Sequence, residues 1–441
     1  MRTLARLLSA LALAFTACAD DDAPATTDAA LVAPDAGAPD AVPLVPNLAR
    51  DILSTDLELD LLAHTGRAVL AVLPSATATS ASFDVSGLDI QSVDGEGGPL
   101  VHAIIDGRLD VAFPPGSATA ITVVYGFSQR TNFDGLIAGG VTFLWPYFCG
   151  NLFPCHPDPA DGARFDLRLV NVPDGVTAVY PDRIATDAPA YMVAFAVGDY
   201  TRTDLGTTSA GTSVHVWNLP GDPAGAASAT ARLKDEFEFL EETYGAYAFG
   251  SSAGSVSAAW GAGGYGGMEH HPYWHVGQDS MDDEVTHAHE AAHGWFGNGV
   301  RIQCWEDFVL SEGTVTYLAA RAIGAAGGVA AEDAVWGDYQ SELDYAVATG
   351  DTLAWPEGCN EIDILTDPLW SAIPYYKGAF FYLALEREVG RAALDAALAA
   401  FYVAHVGKAA GMQDLLDALH ADTGFDPTPL ATAWLRSLGT P

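Results

Sequence analysis

His289 and His293 flank Glu290 in the run HEAAH, and Glu312 follows nineteen residues after His293. On a helix with 3.6 residues per turn, residues i and i+4 project from one face, at a separation that suits two ligands of one ion. A carboxylate returning on a second helix completes a set of two His and one Glu. With a fourth position open, that set belongs to catalytic rather than structural zinc sites. Glu290 lies beside such an ion, where it can accept a proton from an activated water. These residues predict zinc-dependent hydrolysis, with Zn2+, one per chain, held by His289, His293 and Glu312 and with Glu290 as the base.

The pentad alone is a weak pattern, and its surroundings strengthen it. The stretch reads HEAAHGWFGN, and Glu312 lies in CWEDFVLSEGTVTYL. IPYYKGAFFYL follows, with Tyr375 two residues before Lys377-Gly378, and a Gly-rich turn, YGGMEHHP, stands upstream. In this order and at this spacing the four blocks resemble the aminopeptidase N family of zinc metallopeptidases, which includes the leukotriene hydrolases. FPCHPDPADGARFDLRLVNVPDG and YMVAFAVGDY look like segments of that family's N-terminal β-domain, so the resemblance runs from about Asp51 onward.

The resemblance implies an aminopeptidase acting on peptides. Tyr375 would donate to the oxyanion that develops at the scissile carbonyl, a contribution of about 10²- to 10³-fold in such sites. Gly266, Gly267, Met268, Glu269 and His270 would line the substrate, with Glu269 binding the free α-amine. Two positions depart from the family. His270 stands where the family has Asn, and a histidine there would carry a pH-dependent charge. Trp145 stands where the N-terminal domain usually offers a Gln or Glu as a second amine anchor. The alternatives are a zinc endopeptidase or other zinc hydrolase of the same fold, and a catalytically silent binding lipoprotein of the cell envelope. A silent protein could dispense with Glu290 or Tyr375, and this chain retains both.

Among the neighbouring residues, His271, His275 and His287 read as polar groups lining a wet cleft. Asn298 and Thr316 read as partners that orient the ligand rings. Two other patterns carry no chemistry. Gly250 to Gly254 has G-x-S-x-G spacing without the strand and helix that a serine nucleophile needs. Gly261, Gly263 and Gly266 match G-x-G-x-x-G with no helix opening after them.

The elements that must hold these groups follow from pattern. From residue 49 to 205, short β-rich runs such as RAVLAVL and FDLRLV alternate with Gly, Pro and Asp turns, which predicts an all-β domain. From 206 to 441 the resemblance implies an α+β, thermolysin-like, mainly helical catalytic domain. Its first helix is signalled by Leu233, Phe237 and Leu240 at helical spacing. LATAWLRSLGTP resembles the end of that domain, so a short form without the family's C-terminal helical-repeat domain is expected.

Length and composition allow two domains with their own cores. A formal net charge of −38 with three lysines argues against nucleic acid as a partner. Residues 1–17 read as a signal peptide: Arg2 and Arg6 precede an apolar stretch too short to span a bilayer. The stretch ends in FTAC, which resembles a bacterial lipoprotein signal with Cys18 as the lipidated residue. Residues 18–48, rich in Ala, Asp, Pro and Thr, read as a disordered tether. An exported lipoprotein of the periplasm or outer membrane is expected, held to the membrane by its lipid only, with plain secretion as the alternative. Cys149, Cys155, Cys304 and Cys359 then suggest two disulfides. The economical pairing, one of three, joins Cys149 to Cys155 and Cys304 to Cys359.

Overall fold

A computed structural model describes residues 44–441, apart from 114, 117–118, 262–264 and 368. The signal peptide, Cys18, most of the tether and Gly263 lie outside the described residues. The chain divides into two compact units, one ending at Val197 and one running from Gly198 to Pro441. The division falls at 197/198 rather than after 205, because strand Thr201–Thr207 pairs with Ser213–Asn218 and so belongs to the second unit.

The first unit is built on a seven-stranded sheet, in which Ile52–Asp60 pairs parallel with Ala163–Val170 and antiparallel with Thr65–Val72. Ala163, Phe165, Leu167 and Leu169 are buried while Arg164, Asp166 and Arg168 face outward. That alternation is what a pleated strand with one covered face requires. A three-stranded sheet joins Ser80–Asp84, Arg108–Ala112 and His102–Ile105. Cys149 is bonded to Cys155. Trp145 is in the core of this unit.

The second unit opens with a five-stranded sheet of β1 (Thr201–Thr207), β2 (Ser213–Asn218), β3 (Ser252–Ala258), β4 (Gly267–Met268) and β5 (Tyr273–Gly277), ordered β1-β2-β3-β5-β4. The parallel β3 is buried along nearly its whole length, as a strand covered on both faces must be. Between β2 and β3 runs α1 (Leu233–Tyr244), whose Leu233, Phe237, Leu240 and Tyr244 are all fully buried. Each such side chain stabilises the fold by roughly 1.5–3 kcal/mol.

The helices that carry the site follow the sheet. They are α2 (Glu284–Ala292), α3 (Phe308–Gly327), α4 (Val329–Gly350) and α5 (Ile373–Val389), and α6 (Arg391–His405), α7 (Met412–Thr423) and α8 (Thr428–Leu435) complete the unit. Every residue of α3 from Phe308 to Ile323 is buried, so this is the central helix, covered on all sides, with Glu312, Thr316 and Arg321 among its buried polar groups. It crosses α5 at a glycine pair: a Cβ on Gly313 would lie 2.7 Å from Gly378 Cα. The architecture is therefore an all-β unit followed by an α+β, mainly helical one. Among the described residues no helix is long and apolar enough to cross a membrane.

Candidate active site

Helix α2 starts at Asp283, whose carboxylate accepts from the Val285 N–H at 3.2 Å and from Thr286 Oγ1 at 2.8 Å. These bonds satisfy donors that open a helix. His293 is the C-cap, still at helical φ −60° and ψ −19°, so the spacing of the pentad is preserved to its end. Glu312, in the second turn of α3, faces both rings. His289 Nε2 lies 3.1 Å from Glu312 Oε2 and 3.3 Å from His293 Nε2, which is 3.5 Å from the same carboxylate oxygen. A tetrahedral ion with ligands about 2.0–2.2 Å away spaces them about 3.3–3.6 Å apart.

The ring orientations decide whether the residues fit a cation. His293 Nδ1 is 3.1 Å from the Phe296 carbonyl, which can only accept, so Nδ1 carries the hydrogen. Thr316 Oγ1 donates to the Glu312 carbonyl at 2.6 Å and is left to accept from His289 Nδ1 at 3.4 Å. Both Nε2 atoms then present lone pairs to each other and to a carboxylate. Such facing acceptors are stable only with a proton or a cation between them, and the donor set suits zinc. In the absence of an ion, protons take that role. Burial would lower His293, but the Glu312 charge beside it brings it up to about 10. Burial would raise Glu312, but His293 and the hydrogen bonds from both rings bring it down to about 2.

Glu290, Glu269 and His293 form a second group, their ligand atoms within 4.8 Å of one another. Glu290 Oε2 has no hydrogen-bond partner among the described residues. Burial raises its pKa well above the ordinary value, opposed by His293 and reinforced by Glu269 and Glu312. A cation in the neighbouring triangle would favour the ionised form. Gly267 of β4 runs directly over this carboxylate: a Cβ there would lie 2.3 Å from Glu290 Oε1. The glycine turn therefore has a steric reason, the close approach of a strand edge to the base. Tyr375, in the first turn of α5, stacks on the His289 ring at 5.7 Å and meets Phe308 edge-on. Desolvation and the carboxylates of Glu312, Glu269 and Glu290 hold its hydroxyl well above its usual range. It stays protonated and can donate.

Several expectations need correction. His271, His275 and His287 do not line a wet cleft, since each is at most 1% exposed. His287 Nε2 donates to the Met281 carbonyl at 3.1 Å and Nδ1 accepts from Ser255 Oγ at 2.8 Å. They are fasteners in the packing rather than groups at a water surface. His270 is also buried, with Nδ1 3.2 Å from His275 Nδ1. Burial, His275 and His271 push it well below the usual histidine range, so it stays neutral and its charge does not vary near neutral pH. The Asn298 amide donates to the Glu269 carbonyl, fastening the turn that carries Glu269. Thr316 does meet a ligand ring. The Phe296 carbonyl and Ser311, whose Oγ donates to Glu312 Oε1 at 3.2 Å and lies 3.4 Å from His293 Nδ1, were not legible in sequence, one because any residue has a carbonyl, the other because a serine next to a glutamate carries no signal of its own.

Lys377 is fully buried, and its Nζ donates to Asp351 Oδ1 at 2.7 Å, Ser437 O at 3.0 Å and Thr352 O at 3.2 Å. It anchors the start of α5 and with it Tyr375. Cys304, just before α3, is bonded to Cys359. Glu306 accepts from the N–H groups of Asn360, Glu361 and Ile362 at 2.7–3.2 Å, tying down the same loop.

Residues 274–434, which contain the metal triangle, Glu290 and Tyr375, match the Peptidase family M1 domain. That stretch, a little over a third of the chain, therefore resembles the catalytic part of M1 peptidases. The leukotriene A-4 hydrolase homolog of Botryotinia fuckeliana is 24% identical over 410 residues, 80% of this chain and 62% of that protein. Leucine aminopeptidase 2 of Yarrowia lipolytica is 26% identical over 364 residues, 71% of this chain and 54% of its own. The chain thus spans less than two thirds of the length of these curated relatives. The M1 zinc metallopeptidase of Deinococcus radiodurans superimposes with a TM-score of 0.73 at 20% identity, covering 89% of this chain and 95% of that one. A variant of that enzyme has been solved with the tripeptide Tyr-Ser-Ala bound. Legionella pneumophila aminopeptidase A, in complex with aspartic acid, gives a TM-score of 0.74 at 16% identity over 88% of this chain and 49% of its own. These likenesses show that the two-unit architecture is an M1 fold.

Proposed function

We propose that the chain is a zinc-dependent aminopeptidase that hydrolyses N-terminal residues from peptides, with one Zn2+ per chain held by His289, His293 and Glu312. The observation that carries the reading is the convergence of two Nε2 atoms and a carboxylate across 3.1–3.5 Å, with both Nδ1 atoms turned onto protein oxygens, directly beside the Glu269–Glu290 pair. Bound zinc supplies Lewis-acid activation of water and of the substrate carbonyl. Glu290 takes the proton of the attacking water and passes it to the leaving amine, a role worth about 10²- to 10⁴-fold. Tyr375, kept protonated, donates to the oxyanion. Glu269 pairs with the substrate α-ammonium and places the first peptide bond next to Glu290, which makes the reaction exopeptidase chemistry. Export, with Cys18 as the lipid attachment site, belongs to the same proposal. It is supported by the sequence of residues 1–18 and by two disulfides, which persist in oxidising compartments.

Hydrolysis of amino-acyl anilides with and without a zinc chelator tests the activity. Release abolished by chelation and restored by zinc is expected. Cleavage of N-blocked peptides only would replace the reading with an endopeptidase, and purified protein without zinc would overturn it.

A further inference from the structure

We propose that Tyr247 and His271 form a buried positioning relay that holds the backbone of Glu290 against the segment carrying Glu269, and so sets the distance between amine binding and proton transfer. The inference rests on the aminopeptidase reading and extends it to two residues that touch neither metal nor substrate.

The relay begins at a helix end. The last carbonyls of a helix have no partner within it. At the end of α2 the next amides turn elsewhere: Gly294 N–H bonds to Ala291 O and Trp295 N–H to Ala292 O. The Glu290 carbonyl is met instead by His271 Nε2 at 2.8 Å. A carbonyl only accepts, so Nε2 bears the hydrogen and Nδ1 must accept. Its donor is the Tyr247 hydroxyl, also at 2.8 Å. The three groups thus have one consistent proton arrangement, Tyr247 to His271 to Glu290, and it requires a neutral ring. Desolvation lowers His271 to about 3, which keeps the ring neutral across the working range.

Place in the chain gives the relay its meaning. His271 lies two residues after Glu269, and the Glu269 carbonyl is itself held by Asn298. The segment 269–271 is therefore fastened at both ends, once to the turn after α2 and once to Glu290. The span from Glu269 to Glu290 is fixed by backbone anchors rather than by the free reach of two flexible side chains. An exopeptidase needs that span to be constant, because the α-amine and the scissile carbonyl are one residue apart. The surroundings keep the relay dry. Rings of Phe249 at 5.6 Å and Trp274 at 5.1 Å border His271, and Trp295 lies 5.8 Å from Tyr247. Gly294 leaves the room: a Cβ there would lie 2.8 Å from the Tyr247 ring and 3.1 Å from His271 Cε1.

The test uses the full zinc-loaded protein and the variants His271→Phe, His271→Gln and Tyr247→Phe. Glutamine keeps a donor nitrogen near the Nε2 position; phenylalanine keeps only the ring. His271→Phe is expected to retain one zinc per chain and to lose about 10- to 100-fold in kcat, the scale of small misplacements of a reacting group. It should also lose preference for free-amine over N-acetylated substrates. His271→Gln should restore most of both, and Tyr247→Phe should fall between. Turnover and amine preference unchanged in zinc-replete His271→Phe, or equal impairment of Gln and Phe, would overturn the proposal. Nitrogen-15 NMR of histidine-labelled parent protein is the readout independent of activity. His271 should show a neutral ring protonated at Nε2 that does not titrate between pH 5 and 8, and a ring titrating near 6.5 would overturn the relay even if a variant failed to fold. If the zinc-loaded parent cleaves no amino-acyl substrate, the aminopeptidase reading falls, whereas the NMR result still decides the relay.

Discussion

His289 and His293 each donate their Nδ1 hydrogen to a protein oxygen, and this small commitment defines the site. With those bonds made, Thr316 and the Phe296 carbonyl turn two Nε2 lone pairs inward onto Glu312. Roles at this scale separate by experiment. Glu290→Gln leaves the triangle of donors untouched, so zinc content should remain one per chain while kcat falls by about 10²- to 10⁴-fold, checked by metal analysis beside steady-state kinetics. Glu269→Ala removes a charged partner worth roughly 1.5–3 kcal/mol. It should therefore raise KM about 10- to 100-fold for free-amine substrates and leave N-acetylated ones unaffected. An unchanged KM would detach Glu269 from amine recognition. His270, though it departs from the family's Asn, remains neutral because it is buried beside His275 and His271, so no pH limb should be traceable to it.

The elements hold these residues by close backbone approach. Strand β4 passes over Glu290 at Gly267, and α3 crosses α5 at Gly313 and Gly378. The second crossing carries Glu312 on one helix and Tyr375 on the other, so its spacing sets their separation. Gly313→Ala places a methyl 2.7 Å from Gly378 Cα and 3.0 Å from the Pro374 carbonyl. Backbone on both sides cannot yield as a flexible side chain would. The expected cost is about 1–3 kcal/mol of stability, read by thermal unfolding, together with a fall in kcat at unchanged zinc content. Legibility differed among these elements for a physical reason. The stripe Leu233, Phe237 and Leu240 announced α1 because one face meets the core and the other meets water. Helix α3 has no such stripe, being buried all round, and only its Glu312 marked it. The edge of the second unit at Gly198 was missed because β1 resembles the strands before it, and its pairing with β2 is a tertiary fact.

At the scale of the molecule, 57 acidic against 19 basic side chains leave a net charge of −38. Self-repulsion at that charge weakens the compact state, and salt shortens its range to about 10 Å at 0.1 M. Thermal midpoints at pH 7 should therefore rise with NaCl between low salt and about 0.5 M, by a few degrees for each kcal/mol recovered. A midpoint that falls with salt would show that attractive ion pairs such as Arg321–Asp395 and Arg391–Glu332 outweigh the repulsion. The sequence by itself singled out His289, His293 and Glu312, which the structure brings together, with Glu290 beside them, and it set the order of an all-β and a helical unit; of the three cysteine pairings it left open, the structure has the economical one. Those residues and that order are written in residue type and spacing along one element or in short signature blocks. Only the tertiary structure decided what His271, His287, Asn298 and Lys377 do. Their partners are backbone carbonyls and side chains from distant parts of the chain, and a histidine that fastens a helix looks, in sequence, like one that lines a cleft.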